Sequence, residues 1–217
     1  MIEFLQQIDA DALLTINGWH NEFWDIFMRL FSGKWIWVPL YASLLFVLVR
    51  RYGWKGALGI ALVIAAVIAM ADQTCATIIR PWAARLRPAN LENPLSEYVH
   101  IVNGYRGGAY GFPSCHAANT FALATLIFWM TRNKALGFFM LGWALINCYS
   151  RMYLGVHYPG DLIAGAAIGA AIATISYLAL KYWVEIWTAP ERRYAWPVIA
   201  TGTATAAAIA IYAIATI

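Results

Sequence analysis

Twelve residues, Ser150 to Asp161, gather a hydroxyl, a guanidinium, an imidazole and a carboxylate in a chain that mostly avoids such groups. His157 and Asp161 stand four positions apart. Pro159 between them favours the first turn of a helix, which puts Asp161 in that turn and within reach of the ring. A carboxylate that holds one ring nitrogen leaves the other free to attack an electrophile. Arg151 ends the preceding apolar segment and can face the same pocket. A surface salt bridge or an acidic helix cap would use the same residues, so this stretch alone does not decide between them.

Two further clusters bear on the choice. Arg80 and Arg87 are seven apart, about two turns of a helix and so on one face if the segment is helical. Two guanidinium groups on one face can clamp a phosphate with forked hydrogen bonds, or they can anchor lipid headgroups. Pro113, Ser114, Cys115 and His116 precede a helical stretch. Free N–H groups at such an N-terminus bind anions, and Ser114 can either cap the helix or hold a phosphate oxygen. Together the clusters bring three arginines, a serine, two histidines and one carboxylate. That balance suits a phosphorylated anion. The carboxylate cluster that magnesium needs is missing, as is a Walker loop, so no metal and no cofactor are expected.

The elements that must position these groups follow from composition. Hydrophobic residues make up 62% of the 217, charged residues 12%, and mean hydropathy is +0.60. A soluble domain carries about 25% charged residues, so the chain belongs in a bilayer. A crossing helix needs roughly 17–25 mostly apolar residues. Six segments qualify if the short first and third are stretched by flanking Lys34, Arg50 and Arg132: 35–49, 57–79, 117–131, 136–153, 162–183 and 195–217. The fold expected is all-α, a polytopic bundle of about six transmembrane helices, in a domain over 34–217 whose motif core is 80–161. Residues 1–33 mix apolar positions with Asp9, Asp11, Glu22 and Asp25, which suits an N-terminal interfacial helical segment.

Charge sets the orientation. Arg50, Arg51 and Lys55 follow the first span, Arg132 and Lys134 the third, and Lys181, Arg192 and Arg193 the fifth. The positive-inside rule places these connections in the cytoplasm and the three clusters on the opposite face. No cleavable signal peptide is expected, since the start lacks a basic n-region. Cys75, Cys115 and Cys148 form no CxxC, and neither a disulfide framework nor a zinc site is expected. The long connection 89–112 opens beside the clusters, and Arg106 within it is a candidate for headgroup recognition. His20 and His100 suit interfacial positions. Asp72, inside the second span, needs a partner. Gly165 and Gly169 predict a close helix contact.

In order and spacing, the three clusters resemble the membrane type 2 phosphatidic acid phosphatase superfamily. Its signature is Lys-x6-Arg-Pro, then Pro-Ser-Gly-His, then Ser-Arg-x5-His-x3-Asp. Here these read Arg80-x6-Arg87-Pro88, Pro113-Ser114-Cys115-His116 and Ser150-Arg151-x5-His157-x3-Asp161, within a resemblance over about 72–170. Arg80 replaces lysine and Cys115 replaces glycine, and activity is expected to survive both.

The resemblance implies catalysis by His157, His116 and Asp161: His157 attacks phosphorus, Asp161 orients it, and His116 protonates the leaving oxygen and then activates water. Arg80, Arg87, Ser114, the Cys115 N–H and Arg151 hold the phosphoryl oxygens. It also implies a metal-independent hydrolase with a bell-shaped pH profile. The partner is a lipid phosphate or pyrophosphate in the bilayer, lipid A or undecaprenyl pyrophosphate before others, with no nucleic acid. The location implied is a bacterial-type inner membrane with the site facing the periplasm or the exterior. Transfer of the phosphoryl group to another lipid is the alternative reaction, and a non-catalytic lipid-binding or transport protein the alternative class.

Overall fold

A computed structural model describes residues 2–185 and 195–217. Arg192 and Arg193, used above for orientation, lie outside the described residues. Among the described residues there are eight α-helices: α1 (Ile2–Gly18), α2 (Glu22–Phe31), α3 (Val38–Gln73), α4 (Arg80–Ala83), α5 (Cys115–Thr131), α6 (Lys134–Tyr153), α7 (Pro159–Glu185) and α8 (Ala195–Ala215). Among the described residues no strand forms beyond one antiparallel bridge, Leu86 to Tyr110. The protein is an all-α membrane helix bundle.

All six apolar segments fall on helices. Among the described residues, three stretches have the length and hydropathy to cross a bilayer: 35–83, 159–182 and 195–215. The first has 49 residues, far more than one crossing uses. It breaks at Gly53, where φ is 69° and ψ 171°. A side chain is strained at such a φ and glycine is not, so the stretch kinks there into two helical segments. α5 and α6 complete the bundle with 17 and 20 residues. Side-chain caps define three starts: Asn21 accepts from Trp24 N for α2, Ser114 from Ala117 N for α5, and Asn133 from Leu136 N for α6.

One core cluster joins α3, α5, α6 and α8 through Trp37, Leu40, Leu44, Ile127, Met140, Trp143 and Ile209. A second joins α3, α5 and α7 through Ile60, Val67, Ala71, Ala118, Leu126 and Ala173. The tightest seam is α5 on α7. A Cβ at Gly165 would lie 2.3 Å from the Ser114 carbonyl oxygen, and one at Gly169 would lie 2.0 Å from that of Ala118. Only glycine permits that approach. The seam brings the start of α5, with Ser114 to His116, against the start of α7, with Asp161. Asp72 finds its partner in Asn119 of α5, which donates to its Oδ1 at 2.9 Å.

Candidate active site

His157 sits in the short connection between α6 and α7, 2% exposed, with Asp161 fully buried in the first turn of α7. Asp161 Oδ2 lies 3.2 Å from His157 Nδ1 and also accepts from Tyr158 N at 3.1 Å. The other ring nitrogen, Nε2, is 2.6 Å from Arg87 Nη1. A guanidinium only donates, so Nε2 accepts and carries no proton. The proton is then on Nδ1, donated to Asp161. This is the tautomer a nitrogen nucleophile needs, with its lone pair held by an arginine.

The three arginines of the motifs converge on this pair. Arg80 leaves a π-helical turn, Thr74–Ile79, and Nη2 donates to the Pro113 carbonyl and the Cys115 sulfur, both at 2.9 Å. Arg87 is buried and also donates to the Val156 carbonyl at 2.9 Å. Arg151, in the last turn of α6, donates to Ser32 Oγ at 2.7 Å and to the Tyr105 hydroxyl at 3.1 Å. The Nε–H of Arg80, Arg87 and Arg151 are each buried without a hydrogen-bond partner. Unpaired buried donors cost about 1–3 kcal/mol each, more when charged, and an anionic acceptor removes that cost. Crowding shows in the proton affinities. Burial first, then Arg151 and Arg80, brings Arg87 down to about 10. Burial, then Arg87, Arg151 and Arg80, holds His157 well below 6.5.

Ser114 and Cys115 open α5. Ser114 is buried, its hydroxyl oxygen caps the helix, and its N–H donates to the Asp161 carbonyl at 2.9 Å. Cys115 has a helical backbone, and among the described residues the positive-φ ones other than glycine are Ala84, Asn103 and Arg132. The replacement of glycine at 115 therefore brings no backbone strain. His116 Nε2 lies 3.1 Å from Asn147 Oδ1. Asn147 donates to the Trp143 carbonyl through Nδ2, which fixes its oxygen toward His116 and places a proton on His116 Nε2.

The long connection closes over the site. Arg87 N donates to Ala109 O at 3.0 Å and Gly111 N to Arg85 O at 2.8 Å. Gly107, at φ 72°, lies against the Arg87 side chain. Gly111 faces Asp161, where a Cβ would stand 2.8 Å from Oδ2. Arg106 donates to the Ala89 carbonyl at 2.7 Å, within its own loop. His100 pairs with Asp25 at 2.9 Å and stacks on His20, outside the cluster around His157.

Four residues near the site carry no signal of their own in the sequence: Asp9, Arg85, Tyr105 and Asn147. Arg85 donates to Asp161 Oδ1 at 3.0 Å and to Asp9 Oδ2 at 2.6 Å. Beside the site, a cavity of about 510 Å³ opens between α3, α5 and α6. Leu44, Leu48, Ala61, Ile64 and Leu123 line it, and His116 and Asn147 reach its wall.

Residues 54–185 match the PAP2 superfamily. A lipid A 4'-phosphatase of Bacteroides thetaiotaomicron is 54% identical over 78% of this chain and 75% of its own length. A lipid A 4'-phosphatase of Porphyromonas gingivalis is 33% identical over 86% and 78%. An undecaprenyl-diphosphatase of Sulfolobus acidocaldarius is 30% identical over 81% and 76%. The crystal structure of Aquifex aeolicus LpxE shares the fold, with a TM-score of 0.54 at 24% identity over 77% of this chain and 93% of that one.

Proposed function

The chain belongs to the PAP2 superfamily, and from that premise we propose that it is a membrane lipid phosphatase that removes the 4'-phosphate of lipid A through a phosphohistidine. One observation carries the chemistry: a neutral His157, oriented by Asp161, lies among three arginines whose Nε–H donors lack partners. The similarity to two lipid A 4'-phosphatases supports the substrate. The apolar cavity beside His116 supports a lipid leaving group, and its volume falls in the range of about 300–1,000 Å³ usual for ligand sites.

The phosphate enters among Arg80, Arg87 and Arg151, and Arg87 turns from His157 Nε2 to a phosphoryl oxygen. Ser114 and the Cys115 N–H add donors at the N-terminus of α5. Nε2 attacks phosphorus as the P–O bond to the lipid breaks, and that oxygen takes the Nδ1 proton of a doubly protonated His116, whose Nε2–H stays on Asn147 and whose ring is left neutral. His116 then takes a proton from water, the oxygen attacks the phosphohistidine, and the N–P bond breaks to release phosphate. Charge moving onto the phosphoryl oxygens is met by donors already in place. The active site faces the periplasm of a bacterial-type inner membrane, and residues 1–33 lie along that surface.

Phosphate release from purified lipid A, undecaprenyl pyrophosphate, phosphatidic acid and phosphatidylglycerol phosphate tests the reading. Lipid A should be cleaved fastest, with no release by His157→Ala or His116→Ala. Faster release from undecaprenyl pyrophosphate would move the substrate to the reading favoured by the Sulfolobus relative. Labelled phosphate appearing on an acceptor lipid would replace hydrolysis with transfer.

A further inference from the structure

Asp161 has two carboxylate oxygens, and they face different partners. Oδ2 serves His157 and Tyr158 N. Oδ1 takes Arg85 Nη1 at 3.0 Å. Arg85 in turn gives Nη2 to Asp9 Oδ2 at 2.6 Å, and its guanidinium lies over the Tyr158 ring, 3.9 Å from the centroid. Asp9 completes the ring of contacts, since its Oδ1 accepts from Gly160 N at 2.7 Å. A Cβ at residue 160 would stand 2.8 Å from Asp9, so glycine there leaves room for the carboxylate. α1 is fastened a second time by Asn17, which donates to Tyr153 O at 2.7 Å and accepts from His100 N at 2.7 Å.

We propose that Asp9 and Arg85 are positioning residues for the reaction, and that α1 is therefore a working part of the active site. Arg85 fixes the carboxylate plane of Asp161, which fixes the His157 ring. Asp9 holds Arg85 in place and balances its charge. An unbalanced Arg85 would add a fourth cation near the phosphate and draw electron density from Asp161 that His157 needs. Loss of Asp9 therefore slows the chemical step and does not weaken anion binding. Loss of a phosphate ligand has the opposite signature, a higher KM.

This inference rests on His157 being the nucleophile, and the experiment separates the two. Full-length protein in lipid-containing micelles is assayed with lipid A as wild type, Asp9→Asn, Asp9→Glu, Arg85→Gln and the Asp9→Asn/Arg85→Gln double variant. His157→Ala tests the underlying reading, and Asp11→Asn serves as a same-helix charge control, because Asp11 is exposed and its carboxylate accepts from Gln7 on α1. Asp9→Asn should lower kcat on the order of 10- to 100-fold, as misplaced catalytic groups do, with KM unchanged or lower. Asp9→Glu should recover part of the loss, Asp11→Asn should match wild type, and the double variant should be little worse than either single one. Wild-type kcat in Asp9→Asn, with His157→Ala inactive, overturns this proposal alone. So does a loss that follows only the folded fraction in thermal unfolding and is not recovered by Asp9→Glu. Activity retained in His157→Ala overturns the nucleophile assignment beneath it.

Discussion

The state of His157 governs how the enzyme meets pH. Burial first, then Arg87, Arg151 and Arg80, holds its proton affinity well below 6.5. The ring stays neutral, the state the proposed nucleophile needs, as the solution is acidified past 6.5. The acid limb of kcat/KM that belongs to His157, a property of the free enzyme, should lie below pH 6.5. Arg87→Gln removes the largest of the pressing charges, so the limb should move to higher pH while the rate falls. A limb that does not move would separate Arg87 from His157. Stability carries the matching sign: below 6.5 the unfolded chain takes up a proton that the folded ring refuses. Folding free energy should therefore drop as pH falls through that region, and less so in His157→Gln, as denaturation in micelles would read. The residues behind this behaviour differed in how visible they were. Arg80, Arg87, Ser114, Cys115, His116, Arg151, His157 and Asp161 stand in short, ordered runs with chemical spacing. Asp9 meets Gly160 from 151 positions away, and Arg85 sits between two other arginines with nothing local to rank it. Asn147 is one polar residue on an apolar helix, where a span and a catalytic support read alike.

Between elements, the α5–α7 seam sets the distance from Ser114 to Asp161, and two glycines set the seam. Gly165-x3-Gly169 was legible because small residues four apart share one helix face. Gly169→Ala puts a methyl 2.0 Å from the Ala118 carbonyl, so α7 must back away. Overpacking of this kind costs about 1–3 kcal/mol. Thermal unfolding should show the loss, with a fall in kcat as the two helix starts separate. Gly59→Ala, where no atom lies within 4 Å of the new methyl, should leave both unchanged or raise stability slightly. The loop over the site divides in the same way. Gly111→Ala presses on Asp161 Oδ2 at 2.8 Å and should remove most activity with little change in melting temperature. Arg106→Ala frees the Ala89 carbonyl and should alter the ranking among lipid phosphates if the loop reads headgroups; an unchanged ranking assigns Arg106 to bracing alone. Sequence composition located this loop, but its shape depends on backbone pairing with Arg85 and Arg87, which no local pattern encodes.

At the scale of the molecule, the proposed reaction joins a water-facing site to a bilayer-facing reactant. The six apolar segments were legible because hydropathy reports on each helix alone. The break at Gly53 was legible only as a gap between two such segments. The cavity between α3, α5 and α6 was not visible, since it is made by faces of three helices that the sequence does not rank against one another. Its wall of Leu44, Leu48, Ala61, Ile64 and Leu123 meets the candidate site at His116, the group proposed to protonate the leaving oxygen. A lipid tail lying there would put its own oxygen beside that proton. Ala61→Phe narrows the cavity from its α3 wall. If the tail occupies the space, displacing two methylenes at about 0.8 kcal/mol each raises KM for a long-chain lipid phosphate about ten-fold. Hydrolysis of a small aryl phosphate, which has no tail to seat, should proceed as in wild type. Equal losses on both substrates would mean that the new ring disturbs the site itself, and no loss on either would place the tail outside this cavity.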